Sequence, residues 1–426
     1  MEVICLKNIT VILVHYDHPQ AIYKALVSLK TVRTKIASIY MITEKNIDVR
    51  IPEEFAKQIQ FIQGKDVGIA LNHVVSHINS SYVMFLEHLD YLSPQIQSET
   101  ISLPPNKSVL GTYESYRNEL IAHPFFVRTE FIKTKPFLSS QELPFKEALL
   151  PVWLSQVDQS SKLFKHNLIR KLRHSRNSDM MEKQKFIGKY QRLKKNTSHP
   201  TLSVLISNYN MEKYVSTSIR SCLLQTVQAN QILMMDDGST DGSRKRMQRY
   251  HDGNRIFFFS KQNEGKAKAL NELLEHVTSE YVLELDADDF LDPNAIAVIK
   301  EHLTSMSEDA AVLYGNLRRW KQTENGLLIK GIKKGRSVQN RLDFFSYRFP
   351  LGPRIYRTSY LRKAGGFPVI TFQDGRLYED VSVLYQLIGK YRFQYRDFTV
   401  YNVREHKKSI TQTSNVNWNE FLNALK

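Results

Sequence analysis

The residues best suited to chemistry lie in the second half of the chain, most densely in Glu280-Tyr281-Val282-Leu283-Glu284-Leu285-Asp286-Ala287-Asp288-Asp289-Phe290. A mostly apolar run there ends in three carboxylates within four positions. Apolar runs of this length closed by a polar break read as buried strands. An ionised carboxylate is costly to bury unless it is paired, hydrogen-bonded or bound to a metal. At the C-terminal end of a strand it sits instead on a sheet edge, where open α/β folds place ligands. Hard carboxylate oxygens suit Mg2+ or Mn2+, ions that commonly bridge a protein to phosphates. Taken alone, the stretch is equally consistent with a solvated acidic turn before a helix at Asp292-Pro293.

Its neighbours narrow the choice. Ser207-Asn208-Tyr209-Asn210 ends an apolar run at Leu202–Ile206. Asp236-Asp237-Gly238-Ser239-Thr240-Asp241 ends another at Ile232–Met235, and Asn263-Glu264-Gly265 opens a helix after a strand at Ile256–Phe259. Helical spacing of Val215, Ile219, Cys222 and Leu223, and of Ala267, Leu270, Leu274 and Val277, places helices between the strands. Strand–helix alternation predicts a parallel α/β sheet, so all four motifs gather at one sheet edge. Downstream stand Tyr378-Glu379-Asp380 before an apolar helix, and Arg404-Glu405-His406.

The first half reads as the same pattern without the chemistry. Apolar runs at 9–16, 39–42, 60–62 and 82–86 alternate with helix-like segments near 19–31 and 69–77. Ala70-Leu71-Asn72 matches Ala269-Leu270-Asn271. Ser81 to Pro94 aligns without gaps on Glu280 to Pro293, and Pro124–Thr129 matches Pro353–Thr358. Leu89 then stands opposite Asp288, Glu87 opposite Asp286, and Thr43-Glu44 opposite Asp236-Asp237.

The 426 residues suit two or three domains, and the composition, 42% hydrophobic and 24% charged, is that of a globular protein. No apolar run approaches the roughly 20 residues that span a bilayer. Met1–Asn8 reads as a first strand rather than a signal peptide. Two cysteines, Cys5 and Cys222, make no disulfide framework and point to a reducing, cytoplasmic setting. The net charge of +16 favours anionic partners. Much of it falls in Lys162–Lys195, where twelve lysines and arginines face only Asp179 and Glu182. Leu163, Phe164, Leu168, Ile169 and Leu172 predict an amphipathic basic helix there, either a solvated linker or a surface for an acidic polymer or anionic membrane. Sparse aromatics argue against nucleic acid.

Together the second-half motifs resemble family 2 glycosyltransferases, which have the A-type glycosyltransferase (GT-A) fold and use nucleotide sugars. The resemblance covers residues about 201–412, with six motifs in order; over residues 1–160 it rests on the repeat. It implies an α/β protein: a degenerate GT-A-like pseudo-domain (1–160), a basic helical linker (161–198) and a catalytic GT-A domain, Rossmann-like, over 199–426. Carried over by position, Asp237 would accept a hydrogen bond from the nucleobase, usually uracil, with Asp236 beside it. Ser207, Tyr209, Lys266 and Arg404 would line the donor, and Asn263 and Gly265 would let the backbone approach it. Asp286 would contact the ribose or a metal-bound water. Asp288, Asp289 and His406 would hold Mn2+ or Mg2+ against the diphosphate. Asp380 would be the general base that deprotonates the acceptor hydroxyl as it attacks the anomeric carbon, giving inversion. The plainer alternatives are that Asp236 and Asp237 shape a turn, that Asp380 is a helix N-terminal acid, and that His406 is an ordinary histidine.

Lys321–Tyr347 is expected to contact the acceptor and Ser409–Trp418 to close over the donor. The resemblance implies a UDP-linked sugar as donor and a glycan or glycoprotein as acceptor. The two-part layout resembles enzymes building surface or spore-coat polysaccharide, with the first half serving acceptor binding or self-association as a homo-oligomer. Two other classes compete. One is a catalytically silent nucleotide-binding protein that organises a spore or envelope layer. The other is a nucleotidyltransferase, which would want a glycine-rich basic loop where Asn208-Tyr209-Asn210-Met211-Glu212 stands.

Overall fold

The computed structural model describes residues 7–97, 101–116, 119–172, 178–192, 199–346, 351–370, 378–407 and 421. The chain divides into two compact units, Met1–Gln191 and Arg192–Lys426.

The first unit contains β1 (Ile9–Val14), β2 (Ile36–Thr43), β3 (Ile59–Gln63), β4 (Tyr82–Glu87), β5 (Asp90–Leu92), β6 (Val109–Tyr116), β7 (Glu119–Arg128), β8 (Lys162–Lys165) and β9 (Ile169–Lys171). Seven of these form one sheet in the order β3-β2-β1-β4-β7-β6-β8. The β1–β4 set is parallel, and β7 runs antiparallel to β4. Val11, Leu13, Met41, Met84 and Leu86 lie in one buried cluster with Ala21, Ile22, Ala25 and Leu26 of the helix Pro19–Ser28. Strand period two and helix period 3.6 therefore meet on a shared apolar face.

The second unit contains β10 (Leu202–Asn208), β11 (Gln231–Asp237), β12 (Ile256–Lys261), β13 (Tyr281–Asp286), β14 (Phe290–Leu291), β15 (Ala310–Thr323), β16 (Gly326–Lys333), β17 (Ile355–Arg357) and β18 (Arg392–Glu405). Its sheet runs β12-β11-β10-β13-β17-β15-β18-β14, with β16 paired to β15. Both faces are covered, as a parallel sheet requires. Val204, Ile206, Ile232 and Met234 pack with Val215, Ile219, Ile296 and Ile299. The alternating Leu205, Leu233 and Met235 pack with Ala267, Leu270, Leu273, Val383 and Leu387. Cys222 is fully buried in the helix Val215–Leu223.

Read from the outermost parallel strand, both sheets share one order: third, second, first and fourth strands, then an antiparallel pair. A side-chain device recurs as well. Asn72 donates to Phe137 O at 2.9 Å and accepts from Phe137 N at 2.8 Å. Asn271 does the same with Phe367, at 2.8 and 2.7 Å.

The predicted basic helix is corrected. Lys162–Lys165 pairs with β6 and Ile169–Lys171 with β5, so Leu163, Phe164 and Ile169 lie on strands. Among the described residues of the segment, α-helix is at Ser178–Gly188, followed by a 3-10 turn at Lys189–Gln191, and Phe186, Ile187 and Tyr190 are buried. Within the segment Lys171 bonds Glu114 at 2.6 Å and Lys185 bonds Glu182 at 2.8 Å, so part of its charge is already neutralised. The Lys321–Tyr347 segment comprises the β15–β16 hairpin and the helix Arg341–Ser346, on which Leu342 is 82% exposed; Tyr347 lies outside the described residues, as do Cys5 and the Ser409–Trp418 loop.

Candidate donor and metal site

Three parallel strands of the second unit end side by side, with Ser207 opposite both Met235 and Asp286, and Asn208 opposite Asp236. Asn208, 1% exposed, donates from Nδ2 to Asp236 Oδ1 and Ser239 Oγ, both at 3.0 Å. Asp236 Oδ2 accepts from Ser239 N at 3.2 Å. Both Asp236 oxygens are thus bonded, one to Asn208 and one within the turn itself.

Asp237 is 2% exposed, and its two oxygens accept from Glu264 N at 3.0 Å and Gly265 N at 2.9 Å. Asn263 Nδ2 closes the contact on Asp237 O at 2.9 Å. The second and third motifs are thus one structure. Gly238 has φ +71°, and a Cβ there would lie 2.5 Å from Asn263 N, so only glycine permits the approach. Tyr209 stands 46% exposed beside this loop, and Ser207 is half-buried.

A buried charge network underlies the β13 end. Glu284, 1% exposed, receives Nε and Nη2 of Arg354, both at 2.9 Å. Lys266 Nζ lies 2.9 Å from Glu284, 2.6 Å from Asp286 and 2.9 Å from Glu379. Burial acts to raise the Glu284 carboxyl, but Arg354 and Lys266 outweigh it and hold it below the usual range. Burial likewise opposes the Lys266 charge, yet Asp286, Glu284 and Glu379 hold its ammonium well above the ordinary lysine value. Lys266, expected on the donor, thus ties Asp286 and Glu379 to the buried Glu284. Arg354 reaches further: Nη2 is 3.7 Å from Asp286 Oδ2 and Nη1 is 3.4 Å from Asp380 Oδ2. One guanidinium so aligns the strand-end carboxylate with the one that opens the helix Glu379–Ile388.

Asp288 Oδ2 lies 2.9 Å from His406 Nε2, and the imidazole packs tilted against the Tyr214 ring, centroids 4.5 Å apart. A carboxylate and an imidazole make an oxygen–nitrogen donor set that fits Mn2+ and tolerates Mg2+. Asp289 lies next to this pair. Its side chain turns inward, 5% exposed, and Oδ1 accepts from Arg404 N at 2.8 Å. Burial and the adjacent Asp288 and Asp286 hold its carboxyl well above the ordinary value. Asp289, expected as a third ligand, is bonded here to the backbone of β18, which carries Arg404.

Arg404 is 7% exposed, its guanidinium over the Tyr214 ring at 4.8 Å and the Phe290 ring at 5.5 Å. Nη1 donates to Gln322 Oε1 at 3.3 Å; Nε and Nη2 have no hydrogen-bond partner among the described residues. A buried guanidinium with two idle donors fits an anion such as phosphate.

The sequence reading passed over Glu284, Arg354, Glu379 and Tyr401, whose hydroxyl accepts from Asp286 N at 3.1 Å. Glu284 carried a usable signal, being a charged residue inside an apolar strand run. Arg354 lies within Pro353–Thr358, whose sequence signal is the match to Pro124–Thr129.

Residues 203–365 match the family described as Glycosyl transferase family 2. Chondroitin synthase of Escherichia coli is 35% identical over 98 residues, 23% of this chain and 14% of that protein. Glycosyltransferase GlyA of Streptococcus pneumoniae is 24% identical over 228 residues, 51% of this chain and 32% of that protein. The chain thus spans less than half the length of either relative. Among solved structures, TarS 1–349 of S. aureus in complex with UDP aligns over 48% of this chain and 60% of that one, at 18% identity and a TM-score of 0.38. Residues 203–365 of the second unit are therefore a glycosyl transferase family 2 domain.

Proposed function

We propose that the second unit is an inverting, metal-dependent glycosyltransferase that moves a sugar from a nucleotide-diphospho-sugar, UDP-linked, to a glycan or glycoprotein hydroxyl. One observation carries the reading: Arg354 spans Asp286 and Asp380, which gathers a strand-end acid and a helix-start acid at one edge of the sheet.

In this reading Tyr209 and the Asp237 loop receive the nucleoside, with Asp237 offering its remaining lone pairs to the base. Asp286 meets the ribose. Asp288 and His406 would hold the divalent ion, which when bound offsets charge on the departing diphosphate. Arg404 donates its idle N–H groups to phosphate. Asp380 accepts the proton of the acceptor hydroxyl as that oxygen attacks the anomeric carbon on the face opposite the leaving diphosphate. The C1–O bond to phosphate breaks, the new glycosidic bond forms, and the configuration inverts. The acceptor belongs to an outer envelope or spore layer, and the β15–β16 hairpin and the first unit are its binding surfaces. Vesicle co-sedimentation and light scattering check the accompanying expectations of an anionic-surface contact and self-association.

The test is nucleoside diphosphate release from a panel of sugar nucleotides with Mn2+ or Mg2+. Release from one uridine-linked donor, lost with chelator and in Asp288→Ala, supports the reading. Metal-dependent nucleotide binding without release, even with envelope or spore extract as acceptor, supports the silent binding protein instead.

A further inference from the structure

The duplicated unit carries its own cluster at the matching sheet edge. There Val14 lies opposite Glu87, as Ser207 lies opposite Asp286, so the chain leaves β1 through His15 and β4 through Glu87-His88. His15 is 6% and Glu87 3% exposed. Both nitrogens of His15, Oε1 of Glu87 and Nε2 of His88 are buried without a hydrogen-bond partner among the described residues. Burying polar atoms unpaired costs about 1–3 kcal/mol for each group, and three side chains here share that defect. The His15 Nδ1 to Glu87 Oε1 separation of 3.6 Å is too long for a hydrogen bond. The imidazoles of His15 and His88 are stacked with centroids 5.1 Å apart. Both residues have left-handed backbones, φ 59° and 53°, which bring side chains from adjacent strand ends together.

We propose that His15, Glu87 and His88 bind a divalent transition metal, zinc by ligand type, in the N-terminal unit. Two imidazoles and one carboxylate are a borderline donor set that selects Zn2+ over Mg2+ and leaves a fourth position for water. One donor atom from each residue lies within 4.8 Å of the other two. A tetrahedral zinc wants ligand atoms about 3.4 Å apart, given metal–nitrogen bonds near 2.1 Å, so side-chain rotations close the set on uptake. The free oxygen of Glu87 faces the histidines, while its Oε2 is held by His123 Nδ1 at 2.8 Å. Such an outer partner orients a ligating carboxylate. Behind it, His123 Nε2 lies 3.5 Å from Glu114, and Lys171 is 2.6 Å from Glu114 and 3.7 Å from Asp90. These charges balance one another and leave the three ligands for the ion. The metal would tie the ends of β1 and β4 where the other unit leaves its strand ends open for a nucleotide.

The test uses the tag-free full chain carrying Asp288→Asn, which disables the second unit's acidic site. It is stripped with chelator, incubated with Zn2+, passed through gel filtration and assayed for bound metal. The expected result is one equivalent of zinc, lost in His15→Gln and in the partly exposed His88→Gln. His123→Gln should keep the stoichiometry with affinity weakened about tenfold or more. Should the His15 variant not fold, Co2+ loading of the Asp288→Asn chain decides, since a four-coordinate site gives intense visible ligand-field bands. No retained zinc and no such bands would overturn the proposal, leaving a metal-free His–Glu cluster. Zinc retained in a folded His88→Gln chain would overturn it too.

Discussion

At the scale of single residues, the second unit separates side chains whose polar atoms are already paired from those that keep donors idle. Asp236, Asp289 and Lys266 are occupied with backbone or buried charge; Arg404 keeps two donors idle. Replacing Arg404 by Ala should weaken nucleoside diphosphate binding by about 1.5–3 kcal/mol, the worth of hydrogen bonds to a charged group. Isothermal titration with UDP and Mn2+ measures it, and unchanged affinity would remove Arg404 from the donor. Cys222 is the opposite case. Burial pushes its thiol up to about 12, so no thiolate forms near neutrality. A Cys5→Ser chain should not react with a thiol reagent until it is unfolded, and rapid reaction of the folded chain would show the helix to be open. The acidic motifs were legible because carboxylates at strand ends have few other uses. Their division of labour was not, because Asp288 and Asp289 differ only in which way a turn aims them.

At the scale of elements, the buried Glu284–Arg354–Lys266 cluster holds β13, β17 and two helices in register at the site. Removing the carboxylate charge takes from Arg354 its bidentate partner and from Lys266 one of three, and breaking a buried pair costs about 3–5 kcal/mol. Glu284→Gln should lose stability of that order in urea unfolding near neutrality. Because the folded carboxyl lies below its unfolded value, its contribution is present above the ordinary carboxylate range and fades as pH falls toward the folded value. The difference between wild type and variant should therefore narrow in acid; a constant difference would mean that the glutamate's charge does not matter. Gly238→Ala meets both a left-handed φ and the Asn263 backbone. It should cost more than about 1–2 kcal/mol and weaken donor binding by shifting the loop that Asp237 holds. Strand order and helix placement were readable from period alone. The segment 162–172 was not: a short run of Leu, Phe and Ile among cations fits helix and strand alike, and tertiary pairing with β5 and β6 decided it.

At the scale of the molecule, a repeated sheet order and the twin Asn72–Phe137 and Asn271–Phe367 clasps argue that one unit arose from the pattern of the other. Where the second has Asp286, Asp288 and Asp236-Asp237, the first has Glu87, Leu89 and Thr43-Glu44, with His15 and His88 beside Glu87. Residues 199–426 expressed alone should bind UDP with the affinity of the full chain; loss of binding would show that the first unit completes the donor site. The repeat was visible in the sequence because gapless matches survive where the fold needs them, whereas the histidine cluster escaped notice because His15 and His88 are far apart until β1 and β4 pair. The central claim is that the gathered carboxylates perform transfer and not just binding. The most direct measurement compares wild type and Asp380→Asn in one set of samples, for UDP affinity and for donor turnover with acceptor. The account predicts unchanged affinity with turnover lowered about 10²–10⁴-fold, the range for loss of a general base. Equal turnover in the two chains would contradict it.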